Sequence, residues 1–322
     1  MRLDQLGEHR LIELMLERLG PMDPELLVGP GLDDAAAWSS GRTGHAVFTI
    51  DAAVEGVHFD RSRQGPFDVG WRAIALALGD LAAMGAKPRY ALVSVSFPVG
   101  LEVDWVDGLY QGIAAVASGS GLAVVGGDTT ASPGPICITT ALLGEAGPLL
   151  RRDRARPGWL VAVTGPLGRS GPGDPGYRGA DAAGHANRLQ PRLDVGWTLA
   201  KAGVRCAGDI SDGLWSEMER IAAASGCGFS LESSLIPLVL DHGASRELAL
   251  GRALGLGEEV ELVCAASPRI LARAAELMPS GTSLAVVGAI TACGRRLLAA
   301  DGSLMAAPHP YQRLVADPQL QP

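Results

Sequence analysis

The 322-residue sequence has no excess of positive charge and no long uncharged apolar run. Its formal net charge is −8, whereas nucleic acid binding needs a basic face, so we expect no nucleic acid partner. Acidic residues can still bind a phosphorylated substrate through bridging Mg²⁺. Because no uncharged segment approaches the ~20 residues that span a bilayer, we also expect no membrane partner.

Closely spaced cysteines are absent as well. The five cysteines stand singly and far apart, without the CxxC spacing that is typical of metal sites. An odd number in this arrangement favours free thiols in a reducing compartment. The charged, amphipathic segment that follows Met1 does not resemble a signal peptide. The sequence therefore predicts a cytoplasmic protein.

Apolar residues are plentiful, at 47%, and the length suits roughly two domains of ~150 residues. The composition changes at residues 147–158, where glycine, proline and four arginines cluster. We place the domain boundary there, with one domain at 1–147 and the second at 148–322. The arginines, Arg152 among them, either form a solvated linker or bind phosphate through bidentate contacts.

Apolar periodicity predicts helices and strands in alternation along both domains. The predicted helices include residues 5–19, 67–86, 102–120, 192–203, 244–254 and 267–277. This alternation is typical of an α/β fold. Near the C-terminus, the predicted strands 283–290 and 295–299 are expected to flank a hairpin turn.

One stretch carries several signals at once. The apolar run 122–125 predicts a buried strand. Gly126 and Gly127 then predict a sharp turn that lets a ligand approach the main chain. Asp128 and Thr129 follow and offer the oxygen ligands that Mg²⁺ prefers. By itself the stretch is a weak signal, because Gly-Gly-Asp-Thr is also ordinary turn chemistry.

The same order, an apolar run followed by a small residue and an aspartate, recurs along the chain. Asp33 and Asp34 follow a Gly/Pro turn, and paired carboxylates are costly to hold together without a nearby positive charge. Asp51 follows the predicted strand 46–50. His58, a few residues later, is either a structural histidine or part of a site at the rim of the sheet.

Further aspartates lie in and before predicted helices. Asp80 stands among Ala and Leu residues, where a buried carboxylate needs a metal, a backbone donor or a neighbouring helix end as partner. Asp209 and Asp212 are three residues apart at the start of a helix that we expect to end near residue 224. A cap by Ser211 or Asp212 explains one of these carboxylates but not both.

The familiar phosphate-binding motifs are missing. The sequence contains no GxxxxGK[ST], no GxGxxG after a strand, and no kinase HRD and DFG pair. If the chain binds ATP, we expect carboxylates to hold Mg²⁺ ions across the phosphates in place of a lysine-bearing loop.

Together these motifs resemble the thiamine-monophosphate kinase family, within the superfamily of aminoimidazole ribonucleotide synthetase. The resemblance rests on Asp33–Ala36, Asp51 with 54–59, Asp80–Ala86, Gly126–Thr130 and Asp209–Leu214. It implies a two-domain α/β (α+β) fold of the aminoimidazole-ribonucleotide-synthetase type, with an N-terminal mixed sheet that pairs across a homodimer and a C-terminal α/β domain. It also implies that ATP, held by Mg²⁺ between the domains, phosphorylates thiamine monophosphate to thiamine diphosphate.

The resemblance assigns roles to individual residues. The implied metal ligands are carboxylates: Asp33, Asp51, Asp80, Asp128, Asp209 and Asp212. The implied catalytic residues are Asp128 and Asp212. The residues implied to bind the nucleotide are Gly126, Gly127, Thr129, Arg152 and Ser211. The residues implied to contact the substrate are His58 and Tyr311.

Several positions depart from the family's pattern. The glycine before the aspartate pair is replaced by Leu32, the threonine before the strand-end aspartate by Ile50, and a Gly-Asp-Ser loop of the second domain reads Gly168-Arg169-Ser170. Two alternatives therefore stay open. One is a divergent paralogue that uses ATP to phosphorylate or activate another small molecule, an amide or a carboxylate. The other is a non-catalytic nucleotide-binding dimer.

Overall fold

The computed structural model describes residues 8–19, 22–41, 44–169, 188–240, 243–256 and 259–308. Within these ranges the chain forms two six-stranded sheets and seven α-helices. The first sheet is built from residues 26–146 and the second from residues 160–298. Each sheet contains both parallel and antiparallel pairs, so the expected mixed α/β architecture is confirmed.

The first sheet has the spatial order β1-β2-β3-β6-β4-β5. Only its β4–β5 pair is parallel among the described strands. Along the central strands, buried and exposed side chains alternate, as expected of a sheet with one face in the core. The bounds are β1 (Leu26–Val28), β2 (Ala36–Ser39), β3 (His45–Val54), β4 (Lys87–Pro98), β5 (Ala123–Ser132) and β6 (Cys137–Ala146).

Three helices belong to this half of the chain: α1 (Glu8–Leu19), α2 (Pro66–Ala83) and α3 (Val103–Ser120). Most of α2 is buried because it contacts β3 and β6 as well as elements of the second half. Glycines let α2 and α3 approach closely. A Cβ at Gly70 would lie 2.0 Å from the Leu109 carbonyl oxygen, and one at Gly112 would lie 1.9 Å from that of Phe67. This packing fixes α2 and the side chains at its end.

The second sheet has the order β12-β9-β11-β7-β10-β8. Its strands are β7 (Leu160–Val163), β8 (Cys206–Asp209), β9 (Gly228–Glu232), β10 (Leu262–Ala266), β11 (Ala285–Thr291) and β12 (Arg295–Leu298). A 3-10 turn at Arg152–Arg154 precedes it. The accompanying helices are α4 (Leu193–Ala202), α5 (Leu214–Ser225), α6 (Arg246–Gly255) and α7 (Pro268–Leu277).

The predicted hairpin near the C-terminus is wrong. β11 and β12 do not pair with each other; β9 lies between them, antiparallel to β11 and parallel to β12. β9 brings the fully buried Phe229 and Leu231 into the core. Burial of such side chains contributes roughly 1.5–3 kcal/mol each, which outweighs the local preference of a hairpin.

The predicted turn at Gly126 and Gly127 is also wrong, as is the predicted burial of the strand before it, since Val124 and Val125 are exposed. β5 continues through both glycines to Ser132, and neither glycine has a positive φ. The strand register shifts between Ala91 and Leu92 on the neighbouring β4. A Cβ at Gly127 would lie 1.8 Å from the Val93 carbonyl oxygen. Glycine is therefore required here for the close approach of two strands, not for a turn.

One face of the first sheet lies open. Phe48 and Ile50 of β3 and Tyr90 and Leu92 of β4 are 43%, 66%, 53% and 49% exposed. They alternate with buried neighbours such as Val47 and so share the face opposite the core. None of the described helices has the length and hydropathy that crossing a bilayer requires.

Candidate active site

Three carboxylates from distant parts of the chain converge at one point. Asp34, Asp80 and Asp209 each offer an oxygen, and these oxygens lie within 4.8 Å of one another. The backbone N–H of Asp209 also donates to Oδ2 of Asp34 at 3.3 Å. Hard carboxylate oxygens at this spacing suit a cation such as Mg²⁺ or Mn²⁺.

Each carboxylate is held by a different element. Asp34 lies in the turn between β1 and β2, Asp80 in the last turn of α2, and Asp209 at the end of β8. Since α2 contacts both β3 and β8, it brings the two halves of the chain together at this point. The group therefore forms only when both halves are folded and docked.

Asp80 occupies an unfavourable position for an anion. The last turn of a helix carries partial negative charge, which disfavours a carboxylate. The buried hydroxyl of Thr49, on β3, donates a short hydrogen bond to the Asp80 carboxylate. Burial raises the pKa of Asp80 well above its usual value, and the charge of Asp34 raises it further.

Asp209 shows the same electrostatic conflict. Burial raises the pKa of Asp209 well above its usual value, and the charges of Asp34 and Asp80 add to this effect. Carboxylates at this spacing repel one another unless a proton or a cation lies among them. The donor set and its charge therefore fit a divalent cation.

Arg152 is the main cation beside the group. Its guanidinium contacts the carboxylates of Asp34 and Glu217, and the Nη2 atom lies 3.9 Å from Oδ1 of Asp209. Burial alone lowers the pKa of Arg152, but the nearby carboxylates of Asp34 and Glu217 outweigh it, so the pKa rises. The resemblance implies that Arg152 binds the nucleotide, but in this structure its side chain contacts carboxylates.

Asp33 and Asp51 lie at the border of the group. Asp33 accepts backbone hydrogen bonds from Asp34 at 3.1 Å and from Arg152 at 2.9 Å. Burial and the charge of Asp34 raise the pKa of Asp33 to about 7. Asp51 accepts from the N–H of Ala52 at 2.8 Å, and its charge contributes to the raised pKa of Asp80. Both are close enough to influence the three-carboxylate group electrostatically.

Asp212 and Ser211 lie in the turn between β8 and α5. Asp212 pairs with Arg220, which lies eight residues further along the chain in α5. Ser211 and Asp212 are both partly exposed. Asp212 therefore stands near Asp209 in the chain and shares the guanidinium of Arg220 with Glu217, which lies 3.4 Å from Nη1 of Arg220.

Asp128 lies away from the three carboxylates. It pairs in register with Ser94, which pairs with Thr139, which pairs with Ala52 on the open face of the sheet. Asp51 lies one residue before Ala52 and faces the opposite side. Three strand spacings of ~4.8 Å separate β5 from β3, or ~14 Å.

Gly126, Gly127 and Thr129 share the exposed edge strand β5 with Asp128. By alternation, Gly126 and Asp128 face the open side of the sheet, whereas Gly127 and Thr129 face the side of the buried Val93 and Val95.

Of the two implied substrate residues, only His58 lies within the described part of the chain. His58 Nδ1 accepts the backbone N–H of Val54 at 3.0 Å, which stabilises the turn after β3. Tyr311 lies outside the described residues, as do residues 170–187 of the glycine-rich stretch.

The sequence pattern does not single out three residues of this neighbourhood. Asp34 stands beside Asp33 in one motif, and the family resemblance implies only Asp33 as a ligand. Thr49 lies two residues before Asp51 and therefore on the same strand face. Glu217 stands three residues after Leu214 and one before Met218, on the apolar side of α5. A carboxylate at a position where helical periodicity demands burial was the available signal.

Comparison with known proteins places this site in a family. Residues 32–146 match the model of the AIR synthase related protein, N-terminal domain, and residues 156–297 match that of the C-terminal domain. Thiamine-monophosphate kinase of Synechococcus elongatus is 34% identical over 90% of both chains. That of Halobacterium salinarum is 32% identical over 86% of this chain and 91% of its own.

Solved structures agree. The structure of AaThiL complexed with AMPPCP and TMP is 29% identical, covers 97% of this chain and 98% of its own, and superposes with a TM-score of 0.79. The identity to these relatives over most of the chain shows that the chain belongs to the thiamine-monophosphate kinase family.

Proposed function

We propose that this chain transfers the γ-phosphoryl group of ATP to thiamine monophosphate, giving thiamine diphosphate and ADP. The observation that carries the proposal is the convergence of Asp34, Asp80 and Asp209 in a chain of this family. AaThiL, over nearly its whole length similar to this chain, is complexed with AMPPCP, an ATP analogue, and with TMP.

Mg²⁺ is the proposed metal, and Asp34, Asp80 and Asp209 would hold it. Bound there, the ion would neutralise triphosphate charge and orient the phosphates for in-line transfer. The chain's own part is positioning. Thr49 fixes the Asp80 carboxylate, and the Asp209 N–H fixes that of Asp34, so that their oxygens face one another before the ion arrives.

Asp128 and Asp212 are proposed as catalytic residues and as further ligands, together with Asp33 and Asp51. Gly126, Gly127, Thr129, Arg152 and Ser211 are proposed to contact the nucleotide, and His58 and Tyr311 the substrate. The proximity of Asp33 and Asp51 to the three carboxylates supports their part of this assignment. For Asp128, support comes from the resemblance of its motif alone.

We propose that the working form is a homodimer. The open face of the first sheet exposes Phe48, Ile50, Tyr90 and Leu92 side by side, and large exposed apolar patches mark interaction surfaces. Among the described strands, β5 lies at an edge of the sheet with no neighbour on its outer side, and proteins usually cover such an edge. A second copy seated on this face would bury both and would enclose Asp128.

A cytoplasmic location is proposed on the state of the thiols. Cys137, Cys206, Cys227, Cys264 and Cys293 are all free in the described structure, and two of them are buried. Free thiols are typical of reducing compartments.

The proposed activity is tested by incubating the chain with ATP, Mg²⁺ and thiamine monophosphate, followed by chromatography. We expect ADP and thiamine diphosphate in equal amounts, and no phosphorylation when unphosphorylated thiamine replaces the acceptor. ADP together with inorganic phosphate, with thiamine monophosphate unchanged, would contradict the proposal and favour ATP-dependent activation of another acceptor.

A further inference from the structure

The buried pair of Arg152 and Glu217 has a geometry that the proposed function does not use. Glu217 is fully buried and Arg152 is 7% exposed. The Glu217 carboxylate accepts from Nε of Arg152 at 2.6 Å and from Nη2 at 2.7 Å, a bidentate contact. Such a buried ion pair adds little stability compared with apolar residues of the same size, so stability alone does not account for it.

The same guanidinium of Arg152 also contacts the set of three aspartate carboxylates. Nη2 of Arg152 has a second hydrogen, which it donates to Oδ1 of Asp34. The atom also lies 3.9 Å from Oδ1 of Asp209. Arg152 therefore links Glu217 to two of the three carboxylates that we assign to the metal.

Arg152 has little freedom to turn elsewhere. Its backbone N–H donates to Asp33 at 2.9 Å, and its carbonyl oxygen accepts from the hydroxyl of Ser225 at 2.6 Å. The Glu217 carboxylate is equally confined, because a Cβ at Gly208 would lie 1.8 Å from its Oε1. Both ends of the pair are fixed by the surrounding fold.

The charges explain why the pair matters for a cation. An unpaired guanidinium beside Asp34 and Asp209 would compete with a divalent ion for the same oxygens. Paired with Glu217, Arg152 orients Asp34 while its positive charge is compensated. Partners of this outer kind orient the direct ligands of metals in many proteins.

We propose that Glu217 is a positioning residue for metal binding: it holds and neutralises Arg152, which in turn orients Asp34 toward the cation. The inference rests on the proposed metal-dependent function and deepens it. It adds to the proposed nucleotide contact of Arg152 a role in orienting a metal ligand.

The test compares Glu217→Gln with Glu219→Gln in the full-length chain. Glu219 lies on the same helix but pairs with Arg295 at the surface, at 3.0 Å, and serves as the matched control. Binding of Mn²⁺ is followed by the electron paramagnetic resonance signal of the free ion, and circular dichroism checks the fold. We expect the half-saturating Mn²⁺ concentration to rise about 10- to 100-fold for Glu217→Gln and to stay unchanged for Glu219→Gln.

A folded Glu217→Gln variant with unchanged Mn²⁺ affinity would overturn the inference. If this variant fails to fold, Arg152→Lys replaces it, since lysine keeps the charge but cannot span Asp34 and Glu217 with a planar fork. The same loss of Mn²⁺ affinity is expected, and normal affinity in folded Arg152→Lys would again overturn the inference.

Activity measurements separate this inference from the proposed function. In the kinase assay, Glu217→Gln should need more Mg²⁺ for half-maximal rate while the KM for thiamine monophosphate stays the same. If the unmodified chain binds Mn²⁺ but phosphorylates no thiamine monophosphate, the proposed function fails and the Mn²⁺ comparison still decides the role of Glu217. An unmodified chain that binds no Mn²⁺ would overturn the inference and the proposed metal site together.

Discussion

The backbone N–H of Asp209 donates to the carboxylate of Asp34, although 175 residues separate the two in the chain. Asp34 belongs to a turn of the first half and Asp209 to the end of β8 in the second. Their contact ties the docking of the two halves to the assembly of the carboxylate group. A change that weakens the docking of the two halves should therefore also weaken metal binding.

The neighbouring aspartates Asp33 and Asp34 should respond differently to substitution. Asp34→Asn removes a charged ligand, and we expect turnover to fall by more than the 10- to 100-fold that is typical for loss of an outer partner. Asp33→Asn keeps an oxygen that can accept the N–H of Arg152, so its effect should be smaller. Steady-state kinase assays of the two variants measure this difference. Equal losses would contradict the prediction that Asp34 contributes more to the metal site than Asp33 does.

Replacement of Asp128 tests a residue that lies apart from the three carboxylates. We expect Asp128→Asn to lower turnover by at least about tenfold, because an amide is a poorer ligand than a carboxylate for a further, phosphate-bound Mg²⁺. Its separation of ~14 Å from the strand of Asp51 should leave Mn²⁺ binding at the three carboxylates unchanged.

The control for this comparison is Asp107→Asn, on the exposed face of α3. Kinetic constants and Mn²⁺ titrations are measured for both variants. Full turnover in Asp128→Asn would remove Asp128 from the proposed catalytic residues.

The open face of the first sheet predicts the oligomeric state. Sedimentation velocity should give a particle of twice the 33.2 kDa chain mass. Leu92→Asp places a charge within the exposed apolar face and should shift the particle to the monomer, because a buried unpaired charge is costly in an interface. Val103→Asp, at a site 79% exposed on α3, should leave the dimer intact. A monomeric unmodified chain would contradict the proposed dimer.

Glu259 should make stability depend on pH. It is 5% exposed, and burial raises its pKa from 4.5 to about 7, although the N–H groups of Gly168 and Arg169 donate to it. Because the folded pKa exceeds the unfolded one, Glu259 costs nothing below about pH 4.5. Stability then falls as the pH rises toward 7, by roughly 3 kcal/mol in total.

Glu259→Gln removes this penalty and keeps an oxygen that can accept both N–H groups. Urea unfolding should therefore show the variant to be more stable than the unmodified chain at pH 8, with the difference vanishing near pH 4.5. The control is Glu145→Gln, at an exposed pair with Arg89, which should change stability little at either pH. A pH-independent difference for Glu259→Gln would show that the carboxyl is not protonated preferentially in the folded chain.

Much of the fold follows from local patterns, and the exceptions have physical causes. The helices around Ile74 and Ile113 follow from apolar periodicity, since a helix must bury its apolar side. The turn predicted at Gly127 is wrong because glycine occurs both in turns and where two strands lie close together. Only the position of Val93 in the fold decides between these two roles. The hairpin failed because the pairing of β9 between two later strands is a long-range choice.

The sequence predicts which aspartates are candidates for the site, but not how the fold arranges them around one another. Asp80 and Asp209 stood out as carboxylates beside apolar residues, and the structure brings them together. The choice between Asp33 and Asp34 depends on which carboxylate the backbone N–H of Arg152 occupies, a contact across 119 residues. Family resemblance supplied the activity, and only the folded chain revealed Glu217 behind Arg152.

The most direct test of the account is a crystal of the chain grown with MnCl₂ and AMPPCP, examined by anomalous diffraction of the manganese. We predict an anomalous peak at about 2.1 Å from carboxylate oxygens of Asp34, Asp80 and Asp209. An anomalous map with manganese elsewhere, or with none at these three carboxylates, would contradict the central claim that they jointly hold the metal.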